Sequence, residues 1–166
     1  LTLFVALSSQ AEARMRRETL VLVTQQGERT IDIEVAETME EKSLGLMFRT
    51  SLPDNQGMLF PYGRSMEITM WMKNTYIPLD MVFIRPDGVI HRIEARTEPL
   101  SEAIIASKGA VSAVLELAGG AAERLGLRAR QRGLQQRGIH PPIILRACPE
   151  QETTTARRIT KATKTI

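Results

Sequence analysis

The segment MEITMWMKNTYIPLDMVFIRPDG, residues 66–88, predicts two β-strands joined by a tight connection. Its first half alternates apolar and polar residues, and its second half holds a continuous apolar run. Because successive side chains point to opposite faces of a strand, Met70 and Met72 share one face and Trp71 lies on the other. Trp71 is also the only tryptophan of the chain. We therefore expect a central hairpin with an apolar core face and a second face around Trp71.

A four-residue connection at 75–78 gives this hairpin a self-consistent register. Apolar residues then oppose apolar residues on one face, and Lys73 lies opposite Asp80 on the other. A slip of one residue would destroy the match. Two interpretations of the polar face follow. Trp71, Lys73 and Asp80 bind a small molecule, sugar or peptide, or an ion pair stabilises the hairpin by only about 0.2–1 kcal/mol.

Shorter segments on both sides of the hairpin complete a β-rich pattern. Residues 30–36 alternate strictly, residues 111–117 form an apolar run, and the Pro-Asp-Gly sequence at 86–88 is typical of a hairpin turn. A further strand at 58–60 is expected to end at Pro61. The fold class predicted from this spacing is mainly β, a single antiparallel β-sandwich or barrel-like domain with two short helices.

Two short helices are predicted outside the strands. Thr38 and Glu41 have the spacing of a capping box, in which each side chain accepts a hydrogen bond from the backbone of the other. The first helix is expected from about residue 39 to residue 47. The second covers residues 121–125, and Gly126 is suited to end it.

Composition and charge narrow the class of partner. The chain has 166 residues, of which 43% are apolar, enough for one domain with a packed core. Residues 1–127 carry 13 Lys and Arg against 17 Asp and Glu, a net −4, and residues 128–166 carry 9 against 2, a net +7. The basic pI therefore belongs to the tail, and no nucleic-acid partner is predicted. Cys148 is the only cysteine, and the sequence predicts neither a metal site nor a cofactor.

The two ends of the chain differ in character from the middle. Residues 1–13, LTLFVALSSQAEA, have the apolar stretch and the Ala-x-Ala ending of a truncated secretory signal, with cleavage before Arg14. Residues 14–127 form the predicted β-rich domain, which has no apolar run long enough to span a membrane. Residues 128–166 form a basic tail that we expect to be disordered or aberrant. Because of the predicted signal at residues 1–13, we expect the protein to be periplasmic or secreted.

Glu116 stands out because it lies between Leu115 and Leu117 in a predicted buried strand. A buried carboxylate must be paired, or its pKa rises. Arg49, after the first helix, and Lys73 are the candidate partners. A glutamate with a raised pKa is a candidate general acid, and a structural ion pair is the alternative.

Four motifs occur in a fixed order along the chain. They are E-x-x-x-GLMFR from Glu41, GMLF from Gly57, WMKNT-x-IPLD from Trp71 and VLEL from Val114. Together they resemble the bacterial and archaeal family called Domain of Unknown Function 192, over about residues 31–127. The resemblance implies a compact, mainly β domain, a sandwich or barrel with short helices, which is often exported. It implies no established activity and supplies no catalytic residues.

The chain departs from the family pattern after Leu127. The family usually continues with a Gly-Asp pair and a final short strand, whereas RARQRG and the basic tail follow here. An altered reading frame would explain this change of composition. The last strand would then be missing, and the open sheet edge predicts self-association.

Three classes of function are compatible with these observations. The first is a small exported ligand-binding or accessory module of the cell envelope, without catalysis. Its candidate site residues are Trp71, Lys73, Asp80, Arg49 and Glu116. The second is a structural or protein-interaction domain with no small-molecule site. The third is a hydrolase that uses Glu116 or Asp80 as acid or base, but no nucleophile motif accompanies them. We favour the first.

Overall fold

The computed structural model of the protein describes residues 15–24, 27–129 and 145–147. In chain order its elements are β1 (Arg16–Thr24), β2 (Gly27–Val35), α1 (Met39–Leu44), β3 (Gln56–Met70), β4 (Leu79–Ile84), β5 (Ile90–Glu94), β6 (Ile105–Ala118), α2 (Ala121–Arg124) and β7 (Leu145–Ala147). The strands form one sheet in the order β5-β4-β6-β3-β2-β1-β7. The predicted signal and most of the basic tail lie outside the described residues.

The prediction of a mainly β domain with two short helices is confirmed. The sheet is mixed, because β2 and β3 run parallel while the other neighbouring strands run antiparallel. The edge strands β5 and β7 do not pair, so the sheet is not closed into a barrel. Part of the tail forms β7 on the outer edge of β1. Self-association through an open edge stays a prediction.

Strand β6 lies between β3 and β4 and corrects the predicted hairpin. It pairs with β3 on one side and with β4 on the other, so β3 and β4 are not neighbours. Asp80 lies opposite Leu117, and Lys73 lies in the loop after β3. The predicted Lys73–Asp80 pair is therefore wrong. The apolar patterns of β3 and β4 match because both strands pair with β6 and are buried against the same cores.

Strand β3 is also longer than predicted, because it continues through Pro61 to Met70. Pairing with β2 ends at Leu59, so the later part of β3 has a strand neighbour on one side only. Proline is tolerated at such a position, since its missing N–H costs no ladder hydrogen bond on the open side. The register shifts between Pro61 and Met66.

The predicted capping box of α1 is confirmed. The Thr38 hydroxyl accepts a hydrogen bond from the Glu41 amide at 3.1 Å, and the Glu41 carboxylate accepts one from the Thr38 amide at 2.9 Å. The helix ends at Leu44, earlier than the expected residue 47, because Gly45 takes a positive φ of 48°. The chain then turns and buries Leu46 in the core.

Two hydrophobic cores lie on opposite faces of the sheet. Because side chains alternate between the two faces of β6, Leu115 and Leu117 lie in one core and Val114 lies in the other. We call the Val114 side the methionine face; its buried residues include Met58, Met72, Met81 and Phe60. The other side, the leucine face, is covered by α2. Among the described residues, no helix has the length and apolar character needed to cross a membrane.

Candidate functional site

The five predicted site residues do not converge on one cleft. Arg49 and Glu116 interact electrostatically at the methionine face. Trp71 and Lys73 lie together in the loop that follows β3. Asp80 is buried on its own beside α2. The structure therefore separates the predicted site into two pairs and one single residue.

The burial and hydrogen bonds of the Asp80 side chain indicate that it stabilises the fold. Its side chain is 0% exposed, and its Oδ1 accepts hydrogen bonds from the amides of Arg96 at 2.8 Å and Gly120 at 2.9 Å. Its Oδ2 accepts a third bond from the Ala122 amide at 2.9 Å. Three backbone donors explain how the core tolerates this carboxylate. Its ligand-binding role stays a prediction, and we leave Asp80 out of the proposed site.

Lys73 interacts with Trp71 and with an acidic residue of a neighbouring loop. Its Nζ lies 5.1 Å from the centroid of the Trp71 ring, within range of a cation–π interaction. The same nitrogen lies 3.9 Å from a carboxylate oxygen of Glu102. Both side chains of the Trp71–Lys73 pair are substantially exposed, 43% each. The pair is thus presented at the surface.

Three loops meet around this pair, namely residues 45–49, 71–78 and 97–104. Backbone hydrogen bonds hold them together: the Phe48 amide donates to Asn74 at 2.9 Å, the Leu100 amide to Thr75 at 3.0 Å, and the Met72 amide to Ser101 at 2.9 Å. The middle loop is therefore bonded to both of the others. The loops form one supported unit rather than three independent connections.

Large apolar side chains of these loops remain exposed. The exposed fractions are 55% for Phe48, 43% for Trp71, 49% for Tyr76, 57% for Leu100 and 66% for Ile104. The rings of Phe48 and Tyr76 meet edge to face with centroids 6.0 Å apart. We call these five residues the aromatic loop surface. Clustered exposed apolar groups mark interaction sites more often than scattered ones do.

The backbone of the three loops is strained. Phe48, Asn74 and Leu100 have positive φ angles of 63°, 54° and 62°, a region that side-chain-bearing residues rarely adopt. Each costs on the order of 1 kcal/mol or more, and persists only where the surroundings impose it. Two of the three inter-loop hydrogen bonds, Phe48 to Asn74 and Leu100 to Thr75, involve these same residues. Strain of this kind concentrates at functional sites, which supports a role for the aromatic loop surface.

Beneath the loops, a row of glutamates and methionines crosses the methionine face. The register places Glu34 beside Met58, Met58 beside Glu116, Glu116 beside Met81, and Met81 beside Glu94. Directly opposed residues of neighbouring strands share one face. The row therefore brings three carboxyl groups to alternate strands of the same surface.

Only the outer two glutamates of this row have an arginine partner. Arg49 donates to both oxygens of Glu34, at 3.2 and 2.6 Å, and Arg92 forms an ion pair with Glu94. Within the described part of the chain, the Glu116 side chain forms no hydrogen bond and no ion pair. Burial raises the pKa of Glu116 to about 8, against the opposing charge of Arg49. Glu116 is buried as expected, but neither of its expected partners pairs with it among the described residues, because Arg49 binds Glu34 and Lys73 lies near Glu102.

Tyr62 belongs to the same cluster. Burial raises the pKa of the Tyr62 hydroxyl, and the negative charge of Glu116 adds to this effect. The hydroxyl donates to the Met70 sulfur at 3.6 Å, and Lys42 Nζ lies 5.2 Å from the centroid of the ring. Tyr62 therefore links α1, through Lys42, to the buried carboxyl group.

A cleft of about 350 Å³ lies elsewhere, towards the leucine face. It is lined mainly by apolar groups of β1, β3, β4 and β6, with the Arg85–Asp87 ion pair at the turn beside it. None of the five predicted site residues lines this cleft. We do not assign it to the proposed site.

Sequence reasoning missed most of the aromatic loop surface. Phe48, Tyr76, Leu100 and Ile104 look like ordinary core residues in the sequence. The available signal was their position among turn-forming residues rather than inside an alternating strand.

Comparison with known proteins gives the family of the chain. A family profile, Domain of Unknown Function 192, described as an uncharacterized ACR, matches residues 21–137. A solved structure from Sinorhizobium meliloti 1021, described only provisionally as a transcription regulator, has a TM-score of 0.71 and 37% identity, covering 82% of this chain and 97% of that one. A protein of unknown function from Novosphingobium aromaticivorans DSM 12444 has a TM-score of 0.66 and 34% identity, covering 77% and 83%.

No curated protein matches the chain. The family match begins before and ends after the stretch of about 31–127 that carries the sequence motifs. The matched range contains all four of those motifs. The chain therefore belongs to the Domain of Unknown Function 192 family.

Proposed function

We propose that the protein is an exported binding module of the cell envelope that holds a peptide segment of a partner protein on the aromatic loop surface. This proposal rests on one observation: the aromatic side chains of the surface are exposed, while the loops that carry them are held by backbone hydrogen bonds. Aromatic side chains stay exposed although their loops are joined by backbone hydrogen bonds and hold strained residues. A preorganised apolar surface loses little entropy when it binds.

The chemistry of the surface favours a peptide over a sugar. A sugar needs a dense set of polar partners around one flat ring, whereas Phe48, Tyr76 and Leu100 add apolar area. An aromatic anchor with apolar neighbours is typical of a peptide-binding hot spot. Lys73, beside Trp71, supplies a cation for an acidic side chain or a carbonyl of the peptide.

Two other functions have less support. The description of the Sinorhizobium relative names a transcription regulator, but residues 1–127 of this chain carry a net charge of −4, which does not favour binding to a nucleic acid. Hydrolysis by Asp80 is disfavoured because both of its oxygens accept backbone hydrogen bonds. Hydrolysis by Glu116 has less support because, among the described residues, its direct neighbours on the adjacent strands are Met58 and Met81.

Removal of the two rings that meet edge to face, those of Phe48 and Tyr76, should abolish most of the binding. The double variant Phe48→Ala/Tyr76→Ala keeps Trp71, whose fluorescence reports binding in a titration with synthetic peptides. We expect peptides of about six residues with a central Leu or Phe to bind, and the double variant to bind them at least about tenfold more weakly.

Met39→Ala provides the control, since Met39 is 73% exposed on α1 outside the aromatic loop surface. This variant should bind like the wild type. Peptides with Ser in place of the anchor, and envelope oligosaccharides, should leave the fluorescence unchanged. A response to oligosaccharides alone, or equal affinities of the wild type and the double variant, would contradict the peptide proposal.

The proposed export has a direct test of its own. The signal assigned to residues 1–13 predicts a mature chain that begins at Arg14. We expect the periplasmic or culture fraction of the native host to contain this mature form, identified by the mass of its N-terminal peptide. Recovery of the protein only from the cytoplasm, with residues 1–13 retained, would contradict export.

A further inference from the structure

We propose that Glu116 is a proton-binding site that controls the aromatic loop surface: its ionisation withdraws Arg49 from Glu34 and loosens the loop that carries Phe48. The inference goes beyond the proposed function. Its test needs no peptide, so its outcome is independent of whether the surface binds one.

Glu116 differs in its surroundings from the other two glutamates of the row on the methionine face. Glu116 is 4% exposed, lies between two fully buried methionines and has no ion pair among the described residues. A nearly buried carboxyl group with no hydrogen bond or ion pair among the described residues is costly to ionise, so the group is expected to hold a proton at neutral pH. Burial raises the pKa of Glu116 to about 8, which places the loss of this proton in the mildly alkaline range.

Arg49 is the group that we expect to respond when Glu116 loses its proton. Arg49 is the cation that acts on Glu116, and its guanidinium is already bound to both oxygens of Glu34. Glu34 is 17% exposed at its side chain and therefore retains some contact with water. A newly charged and more deeply buried carboxylate gains more from the guanidinium than Glu34 does. Arg49 is therefore expected to turn towards Glu116.

The other ionisable groups on this face are less suited to respond. Among the described residues, the groups from the packed elements are Arg17 on β1, Glu34 on β2, Lys42 on α1, Tyr62 on β3, and Arg92 and Glu94 on β5. Arg17 also forms an ion pair with Glu34, at 3.4 Å, so Glu34 keeps a cation if Arg49 moves. Lys42 lies over the Tyr62 ring, and Arg92 is bound to Glu94 and to the Ala106 carbonyl.

Arg49 is connected to the aromatic loop surface through its neighbour Phe48. Phe48 directly precedes Arg49 and holds a positive φ of 63°. The loop is attached on its inner side by Arg49 to Glu34, and on its outer side by the Phe48 amide to the Asn74 carbonyl. Strained backbone needs its attachments to persist. Loss of the inner attachment therefore lowers the stability of the Phe48 position.

Two measurements on the full chain test the proposal. Carbon-13 NMR of labelled glutamate follows the Glu116 carboxyl group against pH, with a midpoint expected near 8. Hydrogen exchange, corrected for its intrinsic pH dependence, follows the Phe48 amide. Its protection is expected to fall at least about tenfold as the pH rises from about 6.5 to about 9.5.

The variant Glu116→Gln keeps the shape of the side chain but cannot ionise. In this variant, Phe48 protection should be independent of pH across the same range. The matched control is Glu94→Gln, in the same row but paired with Arg92, which should retain the wild-type response. The proposal is overturned by a Glu116 midpoint below about pH 6, by an unchanged Phe48 amide while Glu116 titrates, or by a pH response that persists in Glu116→Gln.

Discussion

Replacement of Asp80 by alanine is expected to destabilise the domain by at least about 4 kcal/mol, enough to unfold much of it at 37 °C. The variant leaves three buried backbone amides without an acceptor, those of Arg96, Gly120 and Ala122. These amides belong to the start of α2 and to the chain after β5, so both segments lose their attachment to β4. Urea unfolding followed by Trp71 fluorescence measures the loss.

Two further variants separate the hydrogen bonds of Asp80 from its general packing. Asp80→Asn keeps one acceptor oxygen for the amides of Arg96 and Gly120 but turns a donor towards Ala122, so a smaller loss of about 2 kcal/mol is expected. Asp87→Ala, in the exposed turn after β4, should cost much less than either. A stability of Asp80→Ala within about 1 kcal/mol of the wild type would contradict the structural role assigned to Asp80.

Replacement of Glu116 by glutamine is expected to stabilise the protein at alkaline pH by on the order of 4 kcal/mol. The pKa of Glu116 rises from 4.5 to about 8 on folding, so the native state holds an extra proton between these values. The free energy of unfolding of the wild type therefore falls as the pH rises from about 4.5 to about 8, and the full cost is present above pH 8. Glutamine carries no such cost.

Thermal unfolding across pH 4 to 9.5 checks this expectation. The two proteins should have similar stability near pH 4, where Glu116 is protonated in both the folded and the unfolded state, and should diverge as the pH rises. Glu41→Gln serves as a control of opposite sign. Backbone hydrogen bonds at Thr38 and Glu37 lower the pKa of Glu41, so its stabilisation is present at neutral pH and lost in acid. Parallel stability curves for the wild type and Glu116→Gln would contradict the buried charge.

Much of the local structure could be predicted from the sequence because local rules govern it. The Thr38–Glu41 capping box depends only on spacing, and strand β2 follows from the strict alternation of residues 30–36. The unusual state of Glu116 was also readable, because a glutamate between two leucines in a strand must be buried, paired or exposed at an edge. In the structure, Glu116 is buried and forms no ion pair with another described residue.

The pairing of the strands could not be predicted in the same way. Alternation shows which side of a strand is buried, but it does not show which strand lies beside it. Met72 and Met81 face the same core although β6 separates β3 from β4. The predicted hairpin was therefore consistent with every local pattern and still wrong. The partner of Asp80 was hidden for the same reason, since the Gly120 and Ala122 amides lie far along the chain.

The aromatic loop surface was hidden by its composition. Phe48, Tyr76 and Leu100 have the residue types of a core, and their exposure follows from positive φ angles and from hydrogen bonds between distant loops. Neither feature has a signature in the sequence, because non-glycine residues seldom adopt such angles. This part of the candidate site therefore required the structure.

The position of β6 between β3 and β4 also has a consequence for how the protein assembles. Strands β1 to β3 form one unit and β4 with β5 another, and only β6, late in the chain, joins them. Until Ile105–Ala118 leaves the ribosome, β3 and β4 each present an unpaired edge with no lasting partner. Productive folding must therefore wait for long-range contacts that β6 supplies, which makes it slow relative to a meander of the same length. During that interval the nascent chain is most exposed to aggregation and most dependent on chaperones.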